Sequence, residues 1–216
     1  MTNPTGPWVY FFAGADKKSL FEKVQSLSAQ VDHYEVLEII SVCGRSQVNV
    51  EPKWHMLRAE AATPFSSDTD VQFKGATRHL QYTTDALRSE LQKKSATPYP
   101  ASESTLAVLI PIGKSEAWWS LSQDARQKHF EKTSGARNHS GIGYDYADKI
   151  YRKLYHSRYL ETQKPLNYDF LTYFEFHEKD KDLFKSLLRE LRNTEINPEW
   201  KFVEKETEIW MVKNER

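Results

Sequence analysis

Two stretches of this 216-residue chain share one order of predicted elements, β-α-β-β, and this order constrains the fold more than any single motif does. Each stretch starts with an apolar strand, continues with a helix and ends with further strands. The first covers residues 1–94 and the second residues 106–216. Residues 95–105 contain two prolines and predict a linker. The sequence therefore predicts an α+β fold with two ferredoxin-like halves and antiparallel sheets.

Hydrophobic periodicity gives the individual elements. Ser115 and Ser122 are predicted N-caps of a helical stretch that ends near Lys132. In the strand at 168–176, Phe170 and Phe174 lie on one face, and Leu171 and Tyr173 lie on the other. Helices are predicted at residues 17–31, 78–93, 144–156 and 180–193. Strands are predicted at residues 8–13, 34–42, 54–60, 71–73, 106–112, 168–176, 201–204 and 206–212.

The composition argues against several classes of protein. The chain has 30 basic and 30 acidic side chains, whereas nucleic-acid proteins and polybasic membrane-surface proteins carry a basic excess. No apolar run approaches the ~20 residues of a membrane span. Cys43 is the only cysteine, which excludes an internal disulfide and a cysteine-based zinc site. No secretory signal is visible, so the sequence predicts a cytoplasmic protein without nucleic-acid or membrane partners.

Residue patterns alone do not identify a catalytic site. The sequence contains no glycine-rich phosphate loop, no G-x-S-x-G and no H-E-x-x-H motif. Its seven histidines are scattered, and none pairs at the helical spacing of metal ligands. His129, His139 and His156 each remain open to a structural or a functional interpretation.

Four sequence blocks favour a more specific interpretation. They cover residues 73–82, 110–121, 150–158 and 169–176; the second reads I-P-I-G-K-S-E-A-W-W-S-L and the fourth D-F-L-T-Y-F-E-F. Their order resembles the chlorite dismutase family, in particular its short, dimeric branch. The first 70 residues fit that family only by their element order. The resemblance implies a dimeric α+β barrel that binds haem b, forms a homodimer and acts on the small oxyanion chlorite.

The resemblance also implies roles for individual residues. His139 aligns with the proximal iron ligand. Arg152, thirteen residues later, aligns with the distal arginine that retains hypochlorite while chlorite becomes chloride and dioxygen. Glu195 aligns with the acid that hydrogen-bonds the ligand histidine. Lys114, Trp118 and Trp119 align with residues at the haem pocket.

Helix geometry adds two expectations. Adjacent tryptophans on a helix point ~100° apart, so Trp118 and Trp119 cannot fill one pocket in the same way. Thirteen residues of unbroken helix separate two Cα atoms by ~20 Å, too far for His139 and Arg152 to serve one iron. We therefore expect a break after His139, where Gly141 and Gly143 offer one.

Two alternative functions remain open. The related coproheme decarboxylase branch has a tyrosine before the proline of the I-P-I strand and lacks the distal arginine; Ile110 and Arg152 argue against it here. A non-enzymatic haem-binding or haem-sensing protein is the other alternative. It is favoured by the lack of the branch's distal glutamine in residues 93–100, because Gln92 would need a shift of about four residues.

Overall fold

Eight strands close into one antiparallel barrel in the computed structural model of the chain, which describes residues 8–25, 31–44, 48–64, 71–77, 85–130, 138–158, 160 and 168–215. The strands are β1 Trp8–Gly14, β2 Val31–Cys43, β3 His55–Ala61, β4 Phe73–Ala76, β5 Thr105–Lys114, β6 Tyr151–His156, β7 Phe170–His177 and β8 Val203–Asn214. The helices are α1 Lys17–Gln25, α2 Asp85–Lys94, α3 Glu116–Ser120, α4 Gln123–Lys128, α5 His139–Asp145 and α6 Lys181–Arg192. Two 3₁₀ helices lie at Glu178–Asp180 and Pro198–Phe202.

The barrel combines the strands of both predicted halves. Its order is β1-β3-β2-β8-β5-β7-β6-β4, so the first half reads β4-β1-β3-β2 and the second reads β8-β5-β7-β6. The halves join where β2 pairs with β8 and β4 pairs with β6. The α+β class is confirmed. The antiparallel strands of both halves join at their edges into one closed barrel, and the ferredoxin-like description of each half stays a prediction.

Strand β7 shows how the barrel separates two cores. Leu171 and Tyr173 belong to the cluster inside the barrel. Phe170 and Phe174 point outward into a second cluster beneath α6, where Phe184 stacks on the strand's Phe176 ring at 4.4 Å. The predicted two faces of this strand are therefore confirmed. A third cluster covers the outer face of the first half beneath α1.

The predicted helix at residues 144–156 is wrong. Helix α5 ends at Asp145, and the chain turns into strand β6 at Tyr151. Strand β6 pairs with β7 along its whole length and directs Tyr155 into the barrel interior. Tertiary pairing therefore overrides the helix-like spacing of the aromatic residues. This turn, rather than one at the two glycines, separates His139 from Arg152.

Other boundaries also differ from the expectations. Strand β2 already begins at Val31, where the first helix was predicted to end, and the last two predicted strands form one strand, β8. The predicted caps are confirmed, because Ser115 accepts from the Trp118 amide at 3.4 Å and Ser122 from the Ala125 amide at 3.2 Å. The predicted helix start at residues 78–84 lies outside the described residues.

The predicted linker packs closely against the barrel. The Tyr99 amide donates to Glu175 Oε2 at 2.7 Å, and Lys213 Nζ donates to the Tyr99 carbonyl at 3.0 Å. The Ala96 amide donates to the Ala147 carbonyl at 2.6 Å. Within the described ranges, no helix is both long and apolar enough to cross a membrane.

Candidate functional site

Helix α5 begins at His139, and local contacts hold this residue in place. The Asn138 side chain caps the helix by accepting from the Gly141 amide at 3.2 Å. Ser140 Oγ donates to the Phe130 carbonyl at 2.7 Å, and the Phe130 ring meets the His139 ring edge-on at 5.0 Å. The imidazole therefore has a defined position at the first turn of the helix.

The neighbours of His139 also define its tautomer. Arg152 NH2 lies 3.1 Å from His139 Nε2, and Glu199 Oε2 lies 3.2 Å from His139 Nδ1. A guanidinium has donors only, so Nε2 accepts and Nδ1 carries the proton that it donates to Glu199. Burial, with further contributions from the charges of Arg152 and Lys114, lowers the pKa of His139 well below its usual value. His139 is thus a neutral imidazole with its lone pair on Nε2.

Strand β6 brings Arg152 to His139 from the barrel wall. The guanidinium lies 5.9 Å from the centre of the Phe174 ring. Gly143 leaves room for it, since a Cβ there would lie 3.3 Å from Arg152 NH1. Within the part of the chain that the structure describes, no carboxylate forms an ion pair with Arg152, and burial lowers its pKa to about 10. Its charge is therefore available to an anion.

A buried ion pair extends the contacts of His139 on the other side. Lys114 Nζ binds Glu199 Oε1, and both side chains are 4% exposed. The ammonium lies 5.0 Å from the centre of the Trp118 ring and 5.6 Å from that of Trp200. Burial lowers the pKa of Lys114 to about 7, although neighbouring carboxylates oppose that shift. Lys114, Glu199, His139 and Arg152 form one continuous chain of polar contacts.

Two cavities meet at the end of this row of polar contacts, at His139 and Arg152. Both are lined by Phe130, His139, Arg152, Leu154 and Phe174. The first holds about 660 Å³ of empty space and the second, which lies beside α5, about 1120 Å³, both counted with their open mouths. The first has an apolar wall and a polar end; its further lining includes Ile110, Ile112, Lys114, Trp118, Phe170, Thr172, Glu199, Trp200 and Glu206.

The two predicted tryptophans have different surroundings. Trp118 is buried and lines the 660 Å³ cavity. The Trp119 ring stacks on Phe170 at 5.9 Å and lies 4.2 Å from the Arg158 guanidinium. Trp119 does not line either of the two cavities. This agrees with the expectation that adjacent tryptophans cannot fill one pocket alike.

The structure places Glu199, and not Glu195, against His139. Glu195 is exposed in the turn after α6, where its amide donates to Asn193 Oδ1 at 2.9 Å. Asn197 closes this turn with a bond from Nδ2 to the Leu191 carbonyl at 2.6 Å. The following 3₁₀ helix Pro198–Phe202 then directs Glu199 inward. Five residues are too few for a hydrophobic period, so the position of Glu199 directly after a proline was its one local signal.

The other candidate residues lie around the same region. His129 packs against the Trp118 ring at 5.6 Å. His156 lines the larger cavity and meets Phe170 edge-on at 5.2 Å. Gln92 is exposed on α2. The larger cavity is lined instead by neighbours of Gln92 on α2 and in the following segment, Leu91 and Ser95.

Comparison with known proteins relates this geometry to one family. The family model described as Chlorite dismutase matches residues 40–211. The chlorite dismutase of Ideonella dechloratans is 30% identical over 139 residues, which are 63% of this chain and 44% of that protein. The chain thus spans less than half the length of this curated relative.

Solved structures show the same similarity. The dimeric chlorite dismutase from Nitrobacter winogradskyi superposes with a TM-score of 0.66 at 30% identity, covering 85% of this chain and 99% of the other. A mutant chlorite dismutase from Candidatus Nitrospira defluvii also gives a TM-score of 0.66, at 20% identity, and covers 99% of this chain and 93% of the other. At 20% identity, the similarity to the Candidatus Nitrospira defluvii protein shows a common fold only.

Proposed function

Because this chain belongs to the chlorite dismutase family, we propose that it is a haem b-dependent enzyme that converts chlorite to chloride and dioxygen. One observation carries the proposal. A neutral histidine and an arginine without a described carboxylate partner face each other at the wall shared by two cavities. The histidine is suited to an iron ion and the arginine to an oxyanion.

The residues present fit a haem group. His139 has its lone pair on Nε2, and Glu199 accepts from Nδ1. Such a carboxylate fixes the tautomer and makes the imidazole a stronger ligand. Around His139, the cavities offer flat apolar surfaces from Trp118, Phe130 and Phe174. We propose that His139 would hold the haem through Nε2 and that Lys114 and Trp118 would line its pocket. Bound haem would supply the redox chemistry at its iron.

Arg152 would act on the oxyanion. Its guanidinium remains charged at neutral pH and offers planar, paired donors. With His139 Nε2 holding the haem, Arg152 would lose this acceptor, and its guanidinium would be able to donate to chlorite. We propose that it then holds hypochlorite until dioxygen forms. Apolar residues such as Leu154 and Phe174 line the site and limit the access of competing water.

The structure also bears on the decarboxylase alternative. Ile110 lines the 660 Å³ cavity at the position where that branch would have a tyrosine. An isoleucine has no hydroxyl and cannot replace that tyrosine. Together with Arg152, it favours the chlorite reaction.

An oxygen electrode tests the proposed reaction directly. Haem-loaded protein should release dioxygen when chlorite is added, and its Soret band should weaken or disappear in His139→Ala. His129→Ala is the control and should retain haem, because His129 packs against Trp118 rather than facing Arg152. A Soret band without oxygen release would reject the enzyme and favour the haem-binding or haem-sensing alternative.

We further propose that the protein is a cytoplasmic homodimer. The support for a dimer is the 30% identical Nitrobacter winogradskyi protein, whose structure is described as dimeric and almost all of which aligns with this chain. The support for the location is the single cysteine, which is typical of a reducing compartment.

A further inference from the structure

Two histidines lie against each other on the outer face of the first half. His33 on β2 and His55 at the start of β3 bring Nε2 and Nδ1 to 3.2 Å, and their ring centres lie 5.2 Å apart. The register partner of His33 is Leu57, a member of the outer cluster beneath α1. Neither histidine lines the two cavities at His139. The pair is therefore separate from the proposed haem site.

A tight turn before β3 fixes the backbone of His55. Lys53 has a φ of 70°, and its amide donates to the Val36 carbonyl at 2.7 Å. The Val36 amide donates in return to the Trp54 carbonyl at 2.8 Å. Strand β3 then starts at His55, which pairs with β1 on one side and with Glu35 of β2 on the other. The imidazole is therefore attached to backbone that is bonded on both sides.

The contacts of His33 fix its ring and its tautomer. The side chain is buried, and its ring meets Phe21 edge-on at 5.5 Å. Nδ1 lies 3.2 Å from the Glu215 carbonyl oxygen, which can only accept, so Nδ1 carries the proton and Nε2 the lone pair. Histidines that bind metals commonly donate their other ring N–H to a carbonyl or a carboxylate. His33 therefore has the outer contact of a metal ligand and directs Nε2 at His55.

The distance between the two nitrogens fits a shared ion. Two nitrogen ligands at ~2.0–2.1 Å from a tetrahedral Zn²⁺ lie ~3.3 Å from each other. His33 Nε2 and His55 Nδ1 lie 3.2 Å apart. At present His55 Nδ1 donates its proton to His33 Nε2. Transfer of this proton to His55 Nε2 gives each of the two facing nitrogens a lone pair, and both imidazoles stay neutral.

The charges around the pair are mixed. Burial lowers the pKa of His33, and the charge of Lys17 lowers it further, whereas Glu35 raises it. Lys17 is exposed on α1, so solvent screens its charge. Glu35 is half-buried and pairs directly with His55, which places a carboxylate beside the two rings. Among the described residues, no three His, Cys, Asp or Glu side chains could hold an ion together, so water would complete the coordination.

We propose that His33 and His55 bind one divalent transition-metal ion, with water in its remaining positions. Imidazole nitrogen suits Zn²⁺, Ni²⁺ and Cu²⁺, whereas Mg²⁺ prefers oxygen ligands. Cu²⁺ should bind more tightly than Zn²⁺, in the usual order of affinities for nitrogen ligands. The ion would connect β2 to β3, and it would stabilise the folded chain because the two histidines meet only there.

Calorimetric titration of the full chain with Zn²⁺ alone tests the site. We expect saturable binding of one ion at the pair. His55→Asn keeps a polar group near the position of Nδ1 but removes the imidazole. It should raise the dissociation constant at least ~10-fold, because loss of a mere outer partner of a ligating histidine already costs ~10–100-fold. His177→Asn is the matched control at the end of β7, where His177 accepts from the Lys179 amide, and should keep the wild-type affinity.

Two further measurements read the site in other ways. Zn²⁺ should raise the midpoint temperature of unfolding in the wild type and leave that of His55→Asn unchanged, since binding to the folded state alone shifts the equilibrium. Mg²⁺ should shift neither protein. Electron paramagnetic resonance of bound Cu²⁺ should show coupling to two nitrogens in the wild type and to fewer in His55→Asn. Equal affinity for Zn²⁺ in the wild type and His55→Asn, or no saturable binding of Zn²⁺ or Cu²⁺, would overturn the proposal.

This site and the proposed function can fail separately. His139→Ala removes the residue proposed to hold haem and should leave Zn²⁺ binding at the pair unchanged. His55→Asn should leave the Soret band and oxygen release unchanged, because His55 lines neither of the two cavities. Zn²⁺ binding that is lost in His139→Ala and kept in His55→Asn would assign the ion to the proposed haem site and overturn this inference.

Discussion

Arg58 and Arg152 occupy opposite sides of the same barrel wall and have opposite surroundings. Inside the barrel, Arg58 NH1 binds Asp32 at 2.7 Å, and NH2 binds Glu60 and the Tyr155 hydroxyl. Burial by itself would lower the pKa of Arg58, yet the adjacent tyrosines and Glu60 raise it well above its usual value. Outside the barrel, burial lowers the pKa of Arg152 to about 10.

The number of acidic partners distinguishes a structural arginine from a functional one. Arg58 is surrounded by acceptors, and its ion pairs fix the strands that supply them. Arg152 donates to a neutral imidazole and lines two cavities. A guanidinium held near open space without a described counter-charge can bind an incoming anion. The comparison therefore predicts loss of stability at one arginine and loss of activity at the other.

The largest expected effect is on stability at Arg58. Arg58→Met should lower the free energy of unfolding by ~3 kcal/mol, because it removes the buried cation and leaves Glu60 with Lys153 at 2.7 Å and Asp32 with Lys213 at 3.8 Å as their remaining basic partners among the described residues. Urea unfolding of wild type and variant measures the difference. The variant should still release oxygen at low temperature, where it remains folded. A loss below ~1 kcal/mol would contradict the structural role, since an exposed ion pair has about that value.

The matching effect at Arg152 should be on activity. Arg152→Ala should reduce oxygen release ~10²–10³-fold, the usual effect of removing a donor aimed at developing charge. Its free energy of unfolding should fall by no more than ~1.5 kcal/mol, the net value of one hydrogen bond. Arg152→Lys keeps the charge but lacks the planar, paired donors of a guanidinium. Its rate of oxygen release should lie between those of the wild type and Arg152→Ala. Unchanged, sustained oxygen release by Arg152→Ala would remove the role proposed for this residue.

A smaller effect distinguishes Glu199 from Glu195. Glu199→Gln should weaken haem binding or activity ~10–100-fold, as is typical for the carboxylate behind a ligating histidine. Glu195→Gln is the matched control and should leave both unchanged, because Glu195 is exposed. Haem titration followed at the Soret band compares the two variants. Equal losses in both would show that the contact of Glu199 with His139 is not what matters.

The smallest effect concerns the pH dependence of stability at Lys114. The pKa of Lys114 is lowered from 10.5 to about 7 in the folded protein. Between pH 7 and 10.5, Lys114 is protonated in the unfolded chain and largely neutral in the folded protein. The free energy of unfolding should therefore rise with pH, by at most ~1.4 kcal/mol per pH unit. Lys114→Arg stays charged and lacks this contribution. Urea unfolding at pH 7, 8 and 9 should show wild type gaining relative to the variant; a constant difference would contradict the shift.

The features predicted well from the sequence were those with local or strongly patterned signals. The alternation in 168–176 predicted both faces of β7, and Ser115 and Ser122 were correct caps because a cap depends on three or four adjacent residues. The prediction that His139 and Arg152 serve one site came from resemblance, and the structure brings their side chains to 3.1 Å.

The errors arose where distant parts of the chain decide the structure. Residues 150–156 have helix-compatible spacing, but pairing with β7 makes them a strand. The barrel was implied by the resemblance and not by the residue pattern, because its closure depends on β2 meeting β8 across more than 160 residues, as in the pair Ile39 and Ile209. Glu199 was missed because a buried turn, rather than a periodic pattern, directs it inward.

The segment after α2 has a consequence for the cooperativity of the whole chain. Its Tyr99 backbone is bonded to Glu175 on β7 and to Lys213 on β8, and β8 pairs with β2 of the other half. The segment that connects the two halves is therefore hydrogen-bonded to the second half, and the second half is hydrogen-bonded to the first through β8 and β2. Neither can lose its structure without exposing the interior of the other. Calorimetry should record a single heat-absorption peak, with equal calorimetric and van't Hoff enthalpies, rather than two successive transitions.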